Sequence, residues 1–159
     1  VKIEVFLRPR GTVDDNDPGH MALCWSKEED YQRRKANFRG FFFNPLDLPE
    51  EYQNRSKWRD YLFNHAVAGY VKNDIAMQDD VFQRAAQLKS KQFEKDSIDI
   101  AAFEETTRPR KEGRYSFNPD THNCHNCVTW VLSVMNSFFQ DAFKPVREGR
   151  IKEIASQFD

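Results

Sequence analysis

A chain of 159 residues is long enough for one domain around one sizeable core. Charged residues make up 31%, apolar residues 39%, and the formal net charge is −1. Nothing in that balance argues for a nucleic-acid partner or an anionic membrane surface, and no apolar run approaches the roughly 18–20 residues of a transmembrane helix.

No secretory signal is legible. Three cysteines are an odd number and too few for a secreted disulfide scaffold, so a reducing compartment such as the cytoplasm is favoured. Localisation and oligomeric state are otherwise unmarked in the sequence.

In chain order, residues 2–8 place apolar side chains at odd positions and read as a strand. Residues 10–19 are a loop, broken by Gly11, Pro18 and three aspartates. A second, apolar strand follows over 20–25. Residues 26–36 are charged and read as a solvated connection. The aromatic segment 38–44 is a third strand, ended by Pro45. Asp47, Pro49 and Glu50 form a helix-start pattern, predicting a helix through Tyr52, Trp58 and Leu62 toward Gly69.

Residues 70–77 read as extended. The segment 81–93 fits a helix by period, with Val81, Ala85 and Leu88 aligned. Residues 106–113 are a basic turn, and 114–117 a short strand. Val128, Val131, Leu132 and Met135 then recur at the spacing of one buried helix face. Asn126 or Asn123 is available to cap that helix. A tail punctuated by Lys144-Pro145 and Gly149 ends with Ile151 and Ile154. No repeat, low-complexity tract or interdomain linker is visible, and residues 1–159 read as a single domain.

The densest reactive stretch is His122-Asn123-Cys124-His125-Asn126-Cys127. Cys127 falls at the first turn of the apolar helix, where unpaired backbone N–H groups and the helix dipole favour a thiolate and can hold an oxyanion. A nucleophile there needs a base. The candidate is His20, in Pro18-Gly19-His20-Met21-Ala22-Leu23-Cys24-Trp25.

Gly19-His20 entering an apolar strand, followed far downstream by Asn126-Cys127-Val128-Thr129-Trp130-Val131 entering a helix, resembles the circularly permuted papain-like thiol enzymes. These are relatives of the NlpC/P60 amidases that include lecithin:retinol acyltransferase-like and PPPDE-type proteins. The strand Arg39-Gly40-Phe41-Phe42-Phe43-Asn44-Pro45 lies where the family has its next strand. The resemblance spans about residues 5–139, and it implies instead that the first part of 81–93 is extended, with Ser90 then capping a helix that carries Phe93, Ile100 and Phe103.

It implies an α+β fold, with a small antiparallel sheet against a helix that begins at the nucleophile. The implied chemistry is cysteine-dependent hydrolysis or acyl transfer at an amide or related acyl bond, through a thioester. Cys127 would be nucleophile and His20 base, with no metal or organic cofactor. Asn126 and His125 would lie at the oxyanion or substrate. The implied partner is a peptide, a protein conjugate or another acyl substrate. A third group should orient His20. The family's usual histidine is missing from 38–45, so Asn44 is the nearest polar candidate, against the plainer reading of a turn residue before Pro45. His65 and the aspartates of the 14–17 loop stay as alternatives.

A different class of function competes. Cys124-x-x-Cys127 with His122 or His125 looks like half of a zinc site in a noncatalytic, zinc-stapled binding module. A second Cys-x-x-Cys is absent, so Cys24, His20 or His65 would have to complete it.

Overall fold

The computed structural model describes residues 1–27 and 31–158. Residues 28–30, part of the charged connection, lie outside the described residues. The fold is α+β. Six strands form one antiparallel sheet in the order β5-β1-β2-β3-β4-β6.

β1 (Lys2–Arg8) and β2 (His20–Trp25) pair in full, from Ile3 opposite Trp25 to Arg8 opposite His20. Every residue of β2 is buried, because the strand is covered on both faces. Met21, Leu23 and Trp25 face the main core, while Ala22 and Cys24 join Phe6, Phe38, Met77 and Val81 on the other face. Burial on both faces explains the unbroken apolar run in the sequence.

β3 (Asn37–Phe43) pairs with β2 only from Trp25 opposite Asn37 to Leu23 opposite Arg39. It then stays with β4 (Val67–Asn73) as far as Phe43 opposite Gly69. The sheet therefore forks beyond Leu23 and Arg39, and His20 lies at the open end of the fork.

The single long helix expected from Asp47 onward is not formed. The segment folds as successive 3₁₀ turns and the short α1 (Trp58–Leu62). Asn44 and Asn54 each accept a local backbone N–H and fix a separate turn, which outweighs a weak helical period. The segment expected to be extended over 70–77 divides at Asp74: β4 ends at Asn73 and α2 (Ile75–Gln83) begins. Met77, Asp80 and Val81 of α2 are buried, with Met77 and Val81 packed in the second core cluster.

β5 (Lys89–Glu94) is an edge strand, so Ser90 lies within a strand rather than capping a helix. Asp99 instead caps α3 (Ile100–Thr106), its carboxylate accepting from Ala102 N–H. β6 (Arg110–Tyr115) begins inside the expected basic turn and closes the other edge.

α4 (Cys127–Phe138) follows the expected period. It buries Val128, Val131, Leu132 and Met135 against β2 and β3. Trp130 stacks on Phe41, with ring centroids 6.1 Å apart, and so belongs to the core. The tail returns over the start of α4 and ends in α5 (Ile151–Ile154), whose Ile151 and Ile154 are buried. No helix among the described residues is long and apolar enough to cross a membrane.

Candidate active site

The start of α4 is held by a reciprocal cap. Asn126 Oδ1 accepts the N–H groups of Val128 and Thr129, both at 2.9 Å, while Thr129 Oγ1 accepts the N–H of Asn126 at 2.9 Å. Such a cap contributes about 1 kcal/mol and fixes where the helix begins. Cys127 is its first residue, 7% exposed, and lines a cavity of about 230 Å³.

His20 enters from the fork in the sheet. By strand alternation it shares the face of Ala22 and Cys24, the face that α2 covers, and this brings Asp74 beside it. His20 Nε2 lies 2.6 Å from Asp74 Oδ2. Cys127 interacts with the same imidazole, and with Nε2 taken by Asp74 the nitrogen left to serve the thiol is Nδ1. Phe42 packs beside the imidazole at 5.0 Å between centroids.

Asp74 is itself fixed twice. Its Oδ1 accepts the N–H of Met77 as the cap of α2, and its own N–H donates to Phe38 O. Its approach to His20 depends on Gly40, because a Cβ at that position would lie 2.5 Å from Asp74 Oδ2.

The electrostatics follow from this chain of contacts. Burial opposes the imidazolium, but the charges of Asp74 and Cys127 outweigh it and raise the His20 pKa to about 10. Burial likewise opposes the Cys127 thiolate, but the adjacent His20 outweighs it and lowers the thiol pKa. The N–H of Met21 and the hydroxyl of Tyr115 also act to lower it. Both shifts favour a thiolate–imidazolium pair backed by the Asp74 carboxylate.

Tyr115 is the contact the sequence did not single out. It ends β6, is buried, and stacks on Phe41 at 5.7 Å. Burial, together with Cys127, raises its pKa well above the ordinary value, so the phenol keeps its proton. The backbone N–H of Cys127 acts on the same phenol and opposes that rise. The phenol and this N–H therefore lie close to the sulfur.

Other residues singled out in the sequence stand elsewhere. Asn44 turns its side chain to the N–H of Leu46 at 3.0 Å and caps a 3₁₀ turn, so Asp74 occupies the position expected for it. Asn126 has no free polar atom for a substrate. Its Oδ1 is spent on the helix start, and its Nδ2 donates to the carbonyls of Glu148 and Gly149.

His125 is engaged elsewhere. Its Nδ1 pairs with Thr129 Oγ1 at 3.0 Å, its ring meets Phe41 edge-on, and burial lowers its pKa. It lines a separate hollow with Cys124 and Glu112. His122 Nε2 lies 3.1 Å from Phe63 O, and His65 stacks on Tyr61 at 4.3 Å. Of the aspartates in the loop, Asp17 is bound by Arg8 and Asp14 by Arg55.

The three cysteines have different surroundings. Burial pushes the Cys24 thiol up to about 12. Burial also raises the half-buried Cys124. Among the described residues, no group of three or more His, Cys, Asp or Glu is arranged to hold a metal ion. The zinc staple would need both Cys124 and Cys127, and Cys127 is turned instead to His20 and Tyr115.

No protein-family model, curated protein or solved structure matches this chain.

Proposed function

We propose that the protein is a cysteine-dependent hydrolase or acyl transferase acting on an amide or related acyl bond, with a permuted papain-like arrangement of its parts. The observation that carries this reading is the buried His20 imidazole, shared between the Asp74 carboxylate and the Cys127 thiol at the first turn of α4.

Cys127 is the nucleophile, and His20 takes its proton. Asp74 orients the ring, holds the imidazolium, and fixes which nitrogen faces the sulfur. The sulfur adds to the carbonyl carbon, and the oxyanion is met by the Tyr115 hydroxyl and the backbone N–H of Cys127. The C–N or C–O bond breaks as His20 returns its proton to the leaving group. The thioester is then resolved by water, or by another nucleophile, which His20 deprotonates.

The test is alkylation by iodoacetamide at neutral pH, followed by peptide mass mapping. Cys127 should react faster than Cys24 and Cys124 by at least about tenfold, since its thiol alone is shifted toward the thiolate. Equal labelling of all three in the folded protein would overturn the assignment. Zinc bound at a one-to-one ratio and lost on substituting either Cys124 or Cys127 would favour the binding module.

A further inference from the structure

Two cavities meet at the site, sharing Pro18, Gly19, Tyr115 and Phe117, and they differ in which catalytic group they reach. One, of about 230 Å³, is lined by Cys127 but not His20. The other, of about 430 Å³, is lined by His20 but not Cys127. In an acyl transfer through this pair the two sides have different occupants. The acyl group stays on the sulfur, and the amine leaves past the imidazole that protonates it.

The charges on the two sides also differ. Arg10, Arg59, Arg150 and Lys152 line the Cys127 side and are exposed. None of the four has an ion pair or side-chain hydrogen bond with a described carboxylate, and Arg59 only lies over the ring of Phe63. The one carboxylate lining that cavity, Glu148, is already used. Its Oε1 accepts from Thr121 N–H and Thr121 Oγ1, and its Oε2 accepts from Asp120 N–H.

The His20 side is balanced. Its Arg8 is paired with Asp17 and Asp80, and its Arg55 with Asp14. What remains there is aromatic: Phe42, Phe43 and Trp58, with Pro45.

We propose that the substrate is an acidic peptide. One or more carboxylates on the acyl side meet Arg59, Arg150, Lys152 and Arg10, and an apolar or aromatic residue supplies the leaving amine beside Phe43 and Trp58. This orientation rests on the thiol-enzyme reading. Unpaired cations around a partly enclosed cavity attract a carboxylate, and low-dielectric walls strengthen the attraction. The apolar floor on the Cys127 side is short, made of Phe63, Phe117, Val128 and Ile151, which suits a peptide better than a long acyl chain.

The step balances. Sγ–C forms, C–N breaks, and the His20 proton goes to the departing nitrogen. Water then hydrolyses the thioester, releasing the acidic carboxylic acid and the thiol.

The experiment uses three peptidyl chloromethyl ketones that differ only in carrying Glu, Gln or Lys at the two residues before the reactive carbon. Rates of Cys127 alkylation are normalised to iodoacetamide, which carries no charge. The His20 imidazolium acts on each reagent equally in the parent and in the rim variant, so the change in the ranking on substitution isolates the rim. The Glu reagent should react about tenfold faster than the Gln reagent, and the Lys reagent slowest. The ranking should collapse at high salt and in the triple variant Arg59→Gln, Arg150→Gln, Lys152→Gln.

Equal rates, a preference for Lys, or a ranking that survives the triple substitution would overturn the acidic substrate while Cys127 still reacts with iodoacetamide. Turnover of phosphatidylglycerol vesicles with no ranking among the peptides would overturn it in favour of an anionic lipid. If iodoacetamide itself does not single out Cys127, the thiol-enzyme reading fails and the orientation falls with it.

Discussion

Asp74 Oδ2 lies 2.6 Å from His20 Nε2, across a separation of 54 residues and from a different face of the sheet than the helix that carries Cys127. The same carboxylate caps α2 through its other oxygen. Substitution can separate the two duties. Asp74→Asn keeps an oxygen for the cap and removes the charge from the imidazole. Alkylation of Cys127 at neutral pH should slow by about tenfold or more, equivalent to roughly 1.4 kcal/mol, and the melting temperature should fall because the buried ion pair with His20 is lost while the cap is kept. Asn44→Ala should cost at most about 1 kcal/mol of stability, from its lost cap, and leave the alkylation rate unchanged. The opposite pattern would return the orienting role to Asn44.

The pH dependence has a defined sign. The His20 pKa is raised from its ordinary 6.5 to about 10, so its contribution to stability is complete below 6.5 and is lost as pH rises through 10. Cys127 works the other way. Its lowered pKa adds stability above its ordinary 9.0 and loses it as pH falls through the folded value. Alkylation of Cys127 should therefore show a plateau across neutral pH, while Cys124, with its raised pKa, should react faster as pH increases toward and beyond 9.0. In Asp74→Asn the plateau should narrow from its alkaline side. A Cys127 profile that rises with pH like that of Cys124 would contradict the ion pair.

Tyr115→Phe removes one hydroxyl and keeps the stacked ring. Two effects are expected. The thiolate loses a donor, so the acid limb of the alkylation profile should move to higher pH. Acyl transfer should fall much further than alkylation, by about 10²- to 10³-fold, as when one oxyanion donor is removed. The burst of nitrophenol from an activated ester, compared with iodoacetamide labelling of the same variant, reads the two effects separately. Equal losses in both assays would confine Tyr115 to the thiol.

The cysteine variants distinguish an enzyme from a metal staple. Cys127→Ala should abolish the burst. It leaves His20 without one buried partner and should cost roughly 1 kcal/mol, since the Asp74 contact remains. Cys124→Ala, at a half-buried site outside the Cys127 cavity, should stay within about 0.5 kcal/mol of the parent. A ligand set would instead make both variants lose stability and bound metal together. Melting curves and metal analysis of the two proteins decide between these outcomes.

Much of this site was legible because its signals are local. The apolar run from His20 and the period of Val128, Val131, Leu132 and Met135 mark the strand and the helix, and Asn126 sits where a cap belongs. Asp74 was hidden because residues 70–77 read as one extended piece, although an aspartate before Ile75 and three residues ahead of the buried Met77 is a usable start signal. Tyr115 carried no signal at all, since its role comes from β6 pairing at the edge of β4 and from the return of the chain to Cys127. Asn44 looked right by proximity in sequence, but a short polar side chain before Pro45 finds a nearer partner in the N–H of Leu46. The helix expected after Asp47 failed for the same kind of reason, with local caps at Asn44 and Asn54 dividing it.

The clearance at Gly40 gives this site an unusual mutational profile. An added methyl there would need the space now held by Asp74 Oδ2, so Gly40→Ala should mimic the loss of a carboxylate while removing no functional group. His125 and Asn44, which carry reactive or polar atoms, should accept alanine more readily, because neither stands between His20 and its partners. Tolerance at each position would then follow the empty volume that the proton-transfer chain requires, and the least replaceable residue on β3 would be the one with no side chain.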